Sequence, residues 1–198
     1  MKTIFGSIAI AMLMIAAVSA THAQQQVDEQ LRVKQWTDTE TLEIFGHPIT
    51  RVFGETYKRS EPRNLHIPIT NVGYKTLDQL ISDLKQKAEK KGWDQAKLDS
   101  SIESLKQDAP GGRIYVYIER RENDRANGKY FFIVLRDEEE EEFFRKSFSN
   151  DPPEFGDFGF WGNLFTADLP QNPPLPFYVY VHDRKSEHLA DFKFKVLE

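Results

Sequence analysis

The hydrophobic period of this chain switches sharply at Pro110-Gly111-Gly112. Over roughly thirty residues ahead of that point apolar residues recur at helical spacing; behind it they recur at every second residue, as in strands. A chain with such a switch must set a helical unit against a sheet. The expected class is therefore α+β: predominantly antiparallel β-sheet or sandwich, with a two-helix αα insertion.

The helical part is the most sharply punctuated. Leu77, Leu80, Ile81, Leu84 and Ala88 lie on one face of a helix that opens at Thr76. Gln79 stands three residues after that threonine, the spacing of a capping box, and Gly92 is placed to end the helix. Lys85, Lys87, Lys90 and Lys91 crowd its C-terminal half, where cations suit the helix dipole. A second helix is expected from Asp94, with Leu98, Ile102 and Leu105 as its stripe. The pair spans about 76–108.

The β-rich part is expected over 113–198. "RIYVYIERR" and "KYFFIVLRD" read as strands, and the intervening Asn127-Gly128 predicts a tight turn that makes them a hairpin. "FFIVLRD" and "FFRKSF" predict a second hairpin, with Glu138 to Glu142 as a solvated, self-repelling tip. "LPQNPPLPF" is an extended, proline-stiffened connector, and "FYVYVHD" with "DFKFKVL" predicts a last hairpin. Upstream, 42–45 and 49–57 read as short strands and 64–70 as a third. In 113–119, 129–136 and 177–183 both strand faces are apolar, so these strands are expected to be central and covered twice. The helix pair is the expected cover of one face, and a second sheet or an aromatic loop that of the other. Lys193 and Lys195 alternate with Phe192, Phe194 and Val196, which predicts a strand with one solvated face, as at an edge guarded by lysines.

Residues 1–23 have the pattern of a cleaved secretory signal peptide: Lys2, then an apolar run, then small residues at Ala20 and Ala23. A polar segment, 24–41, leads into a single domain, 42–198. The expected location is secreted or periplasmic, with no membrane span after signal cleavage. The chain has no cysteine, which excludes disulfides, thiol nucleophiles and Cys-ligated metals. A formal charge of −5 argues against nucleic acid as a partner, and the basic pair Arg120-Arg121 reads as solvated.

The candidate ligand-binding residues are the rings of one glycine-laced stretch: Phe155, Phe158, Phe160, Trp161 and Phe165. Aromatic faces stack on sugar rings and glycines admit close approach, so a glycan or protein ligand fits them. The competing reading tucks the same stretch onto the core as an Ω-like flap. Tyr115, Tyr117, Tyr178 and Tyr180 form a ladder that is either a stacking platform or core. His182 and His188 flank one hairpin and form no recognised metal pattern, so neither a metal nor a cofactor is expected. No serine stands in a nucleophile frame. Glu119, Glu154, Asp157 and Asp168 are the acids available for paired-carboxylate hydrolysis. The leading expectation is an exported non-enzymatic binding or interaction module. The alternatives are a small secreted hydrolase directed at glycans and a structural component of a cell-envelope assembly that associates through the 191–197 edge. The sequence sets no oligomeric state.

Overall fold

A computed structural model of the chain describes residues 26–27, 30–31, 40–54, 69–156, 159–185 and 192–197. The expected signal peptide, most of the 64–70 strand, Asp157, Phe158 and His188 lie outside the described residues. Within them the chain runs β1 (Thr41–Ile44), β2 (His47–Gly54), β3 (Thr70–Lys75), α1 (Leu77–Lys91), α2 (Gln95–Asp108), β4 (Arg113–Arg120), β5 (Phe131–Arg136), β6 (Glu142–Ser147), β7 (Glu154–Phe155), β8 (Trp161–Asp168), β9 (Phe177–Asp183) and β10 (Phe192–Val196). The strands form two antiparallel sheets, a six-stranded β1-β2-β10-β9-β5-β6 and a four-stranded β3-β4-β8-β7. The fold is α+β, as expected.

One core lies between the sheets. Val72, Ile114, Val116, Ile118 and Phe165 come from the smaller sheet; Ile133, Leu135, Phe177, Val179, Phe194 and Val196 come from the larger. Tyr74 meets Phe177 edge-on at 5.5 Å between ring centres, and Phe131 meets Phe165 at 5.6 Å. Phe131, Phe177 and Phe194 are fully buried, each worth about 2–3 kcal/mol of removed apolar surface.

Arg120 crosses this core at one end. It donates to the Ile69 carbonyl at 2.9 Å and to Thr70 Oγ1 at 3.0 Å. Its guanidinium lies over the Phe131 and Phe192 rings, and Asp183 approaches at 3.9 Å. The solvated reading of Arg120 is therefore corrected: as the last residue of β4 it points between the sheets, where Asp183 and backbone carbonyls offset its burial.

The helix pair forms with the expected caps. Thr76 and Gln79 bond reciprocally as a capping box, and Gly92 adopts the left-handed conformation at φ 59°. Gln79 also donates from Nε2 to the Phe45 carbonyl at 2.8 Å, which fastens α1 to the β1–β2 turn. Asp94 caps α2 by accepting from the Lys97 backbone N–H at 2.7 Å. The pair does not cover a sheet face. No residue of α2 is buried, and in α1 only Leu80 and Ala88 are. The two apolar stripes largely meet each other, and the hairpin, inserted between β3 and β4, joins the sandwich through Leu80, which is in the core, and Leu105, which packs against it.

Three strand expectations change. First, β4 and β5 are not a hairpin: they belong to different sheets, and two 3₁₀ turns, Asn123–Ala126 and Gly128–Tyr130, carry the chain across. Asn127 is extended at φ −77°, so the Asn-Gly pair supplies no left-handed turn. Gly128 serves close approach instead, since a Cβ there would lie 2.6 Å from the Ser149 carbonyl oxygen. Second, β10 is interior, paired with β2 on one side and β9 on the other. Alternating Phe and Lys reports one solvated face, not a free edge. Third, the end of the glycine-laced stretch is strand, not flap: Trp161–Asp168 runs as β8, paired in register with β4 along its whole length.

Candidate ligand-binding surfaces

The structure separates the four aromatic candidates among the described residues. Phe165 is 3% exposed and stacks on Phe148 at 4.8 Å, inside the core. Phe160 is 6% exposed. Phe155 and Trp161 are cross-strand partners on β7 and β8, with ring centres 4.9 Å apart in an edge contact. Phe155 is 63% exposed, and Trp161 is half-buried. The stretch thus yields two core rings and one surface pair: Trp161 and Phe165 share one face of β8, but Trp161 lies at its first residue, beside the two-residue edge strand β7 that carries Phe155.

The outer face of the four-stranded sheet is closed. Tyr115, Tyr117, Asn71 and Glu119 on it are all buried. The Phe45 ring, carried by the β1–β2 turn, lies over Gly73 and meets Tyr115 at 5.3 Å. Asn71 donates to the Leu31 carbonyl, and Leu31 is fully buried. The polar 24–41 segment therefore contributes an apolar residue to the core. Burial pushes the Tyr115 hydroxyl above its ordinary range, against the pull of Arg113. Tyr117 donates to Glu119 Oε1 at 2.7 Å.

Three of the four acid candidates share this face, and two of them are neighbours. Glu119 on β4 and Glu154 on β7 both pair with Gly162 of β8, so they point the same way with one side-chain-free position between them. Two strand spacings separate their Cα atoms by roughly 10 Å. Glu154 is exposed, whereas Glu119 is 2% exposed. Asp168 lies at the opposite end of the same face, bound by Arg113 at 2.5 Å.

The outer face of the six-stranded sheet is different. Phe132, His182, Tyr180 and Tyr178 lie side by side on β5 and β9, all half-buried. Phe132 stacks on His182 at 4.4 Å and 9°, and His182 follows Tyr180 at 6.2 Å and 13°. Cations line the ladder. Lys193 sits 4.0 Å from the Tyr178 ring centre and 5.0 Å from that of Tyr180, with Lys195 5.3 Å from Tyr178. Arg136 lies over Tyr180, and both Arg145 and Arg184 lie over Phe132. Lys193 and Lys195 are thus working parts of an open face rather than guards of an edge.

The acidic tip folds onto this face. Tyr180 donates its hydroxyl to Glu140 Oε2 at 2.5 Å, and Lys193 donates to Oε1 of the same carboxylate at 2.6 Å. Lys195 pairs with Glu138 at 3.0 Å, and Arg145 holds Glu142 with two bonds. The tip is solvated as expected, but its self-repulsion is offset: lysines on an interior strand reach it from below. Lys193 and then Tyr180 hold the Glu140 carboxyl below the usual range, while burial and Glu140 push the Tyr180 hydroxyl up. Glu140 itself adopts φ 64°, a left-handed conformation that costs a non-glycine residue about 1–2 kcal/mol.

Sequence reading named Tyr178 and Tyr180 but not their partners. The signal for Phe132 and His182 was present in the alternation of 129–136 and 177–183; their adjacency required the β5–β9 pairing. Among the described residues no group of three or more His, Asp or Glu side chains converges to hold a metal, and no helix is long and apolar enough to cross a membrane. Compared with known proteins, the chain matches no family model, no curated protein and no solved structure.

Proposed function

We propose that this protein is an exported, non-enzymatic binding module that takes a glycan or protein ligand on the outer face of the six-stranded sheet. One observation carries the reading: the half-exposed ladder Phe132–His182–Tyr180–Tyr178, rimmed by Lys193, Lys195, Arg136, Arg145 and Arg184. Flat rings set on paired interior strands offer stacking area at little entropic cost, and flanking cations add orientation. The leader pattern of 1–23 supports export to a secreted or periplasmic location. Phe155 and Trp161 form a second, smaller apolar contact at the far sheet.

Calorimetric titration with a panel of neutral and acidic oligosaccharides tests the reading. A ligand found this way is expected to lose at least about tenfold in affinity on Tyr178→Ala, at roughly the 1–2 kcal/mol of one stacked ring. Binding that survives both Tyr178→Ala and Phe132→Ala discards the ladder as the site.

A glycan hydrolase is the second reading, favoured by Glu119 and Glu154 flanking Gly162 on one face. It expects release of reducing ends from a polysaccharide panel, abolished by either Glu119→Gln or Glu154→Gln. Release unchanged in both variants removes it.

A further inference from the structure

We propose that the Tyr180 hydroxyl and the Lys193 ammonium form a carboxylate-binding position, that Glu140 occupies it in the free protein, and that a uronic-acid oligosaccharide binds by displacing the acidic turn. The inference rests on the ladder being the ligand face, and it names the ligand class for that face.

Three observations support it. The Glu140 carboxylate is held as a bound ligand would be, with a different donor on each oxygen: Tyr180 on one and Lys193 on the other. The position adjoins the ring faces, since the same Lys193 ammonium lies 4.0 Å from the centre of Tyr178. A uronic acid carries a carboxylate directly on a pyranose ring, so it can place its charge between these donors while its ring lies on the ladder. An aspartate or glutamate side chain supplies the charge without the ring. Finally, the occupant sits in an exposed turn whose backbone ties are local, with Arg136 4.0 Å from its carboxylate. Asp137 accepts from the Glu140 and Glu141 backbone N–H groups, and Arg136 and Asp137 reach the Glu140 and Glu141 carbonyls. Glu138, Glu139, Glu140 and Glu141 are all exposed. The second lysine, Lys195, is covered in the same way by Glu138, so the turn masks two adjacent cations at once.

Intramolecular occupancy lowers apparent affinity by the fraction of time the position is free. The test is titration of the full mature chain with tetragalacturonate and, separately, with neutral cellotetraose. Glu138→Gln/Glu140→Gln is expected to bind tetragalacturonate about tenfold more tightly than the wild type, with cellotetraose unchanged. Glu139→Gln/Glu141→Gln removes the same charge from the same turn without touching Tyr180 or Lys193. It is expected to leave both affinities within about twofold, which separates displacement from general repulsion. Tyr180→Phe in the Glu138→Gln/Glu140→Gln background is expected to reverse most of the gain. Equal gains in the two double variants overturn the proposal, because charge alone then explains them. Cellotetraose binding that depends on Tyr178, with no gain for tetragalacturonate in either variant, overturns it while leaving the ladder intact. Failure of both sugars to bind any variant overturns the proposal and the ladder's role as a saccharide face together. A tetraglutamate peptide that binds Glu138→Gln/Glu140→Gln more tightly than tetragalacturonate overturns the saccharide assignment.

Discussion

The chain writes nearly the same five residues twice, "IYVYI" at 114–118 in β4 and "FYVYV" at 177–181 in β9, and gives the two tyrosine pairs opposite surroundings. Tyr115 lies under Phe45, and Tyr117 lies across from Asn71, which bonds the buried Leu31, on a closed face. Tyr178 and Tyr180 stay half-exposed beneath two lysines and an acidic turn. Both strands are interior, and both put Val or Ile into the same core. Strand position therefore does not separate them. What separates them is whether a remote segment covers the second face. Gly73 illustrates the difference: across from Tyr115, it leaves room for the Phe45 ring, which a Cβ would meet at 2.5 Å.

The largest expected effect falls on the closed face. Tyr117→Ala opens a cavity beneath covering residues and removes the donor to Glu119, at about 3–5 kcal/mol by chemical denaturation. Tyr178→Ala on the open face is expected to cost below about 1 kcal/mol, because its ring keeps access to water. Equal losses would abolish the distinction between the pairs. Next in size is Gly73→Leu, which must expel Phe45 and is expected to cost about 1–3 kcal/mol. Its sharper readout is faster tyrosine modification by a nitrating reagent at Tyr115, with Tyr178 unchanged.

Alkaline titration gives a smaller, graded effect. Burial raises the hydroxyls of Tyr74 and Tyr115 above their ordinary value, and in the unfolded chain they ionise near 10. Their contribution to stability is complete below about pH 10 and is lost as pH rises from there toward the raised folded values, since the unfolded state releases its protons first. Tyrosinate absorbance is expected to show a late fraction that disappears in denaturant. The smallest effect concerns the acidic tip. The Glu140 carboxyl is held low by Lys193 and Tyr180, so its contribution is present above the ordinary glutamate range and fades as pH falls through the lowered value. A chemical-shift titration of Glu140 that moves to ordinary values in Lys193→Gln would confirm the contact, and an unmoved midpoint would refute it.

Much of the fold was legible because it is local. Thr76, Gln79 and Gly92 mark the ends of α1 through bonds made within a few residues. The β5–β6 and β9–β10 pairings follow from adjacent alternating runs. By contrast, β3 reads "TNVGYK", in which Asn71 and Gly73 look like turn residues. Both are there for distant partners, Leu31 and Phe45. The opening of β8 was obscured in the same way. Gly162 faces Tyr117 across the strand pair, and Asn163 donates to the carbonyls of Ala126 and Asp151. The candidate rings were legible as aromatic, but only strand pairing sorted Phe165 into the core and left Phe155 in water.

By itself the sequence determined the periods: two capped amphipathic helices, a switch at Gly112, and strands with two apolar faces. Those properties arise from bonds and sterics within a few residues and need no partner. Only the tertiary structure decided which sheet each strand entered, that Arg120 and Asp183 meet inside, and that one Tyr-Val-Tyr is sealed while its twin faces an acidic turn. A strand's alternation reports that it has two faces; what closes each face comes from residues tens of positions away, as Phe45 does for Tyr115 and Glu140 for Tyr180.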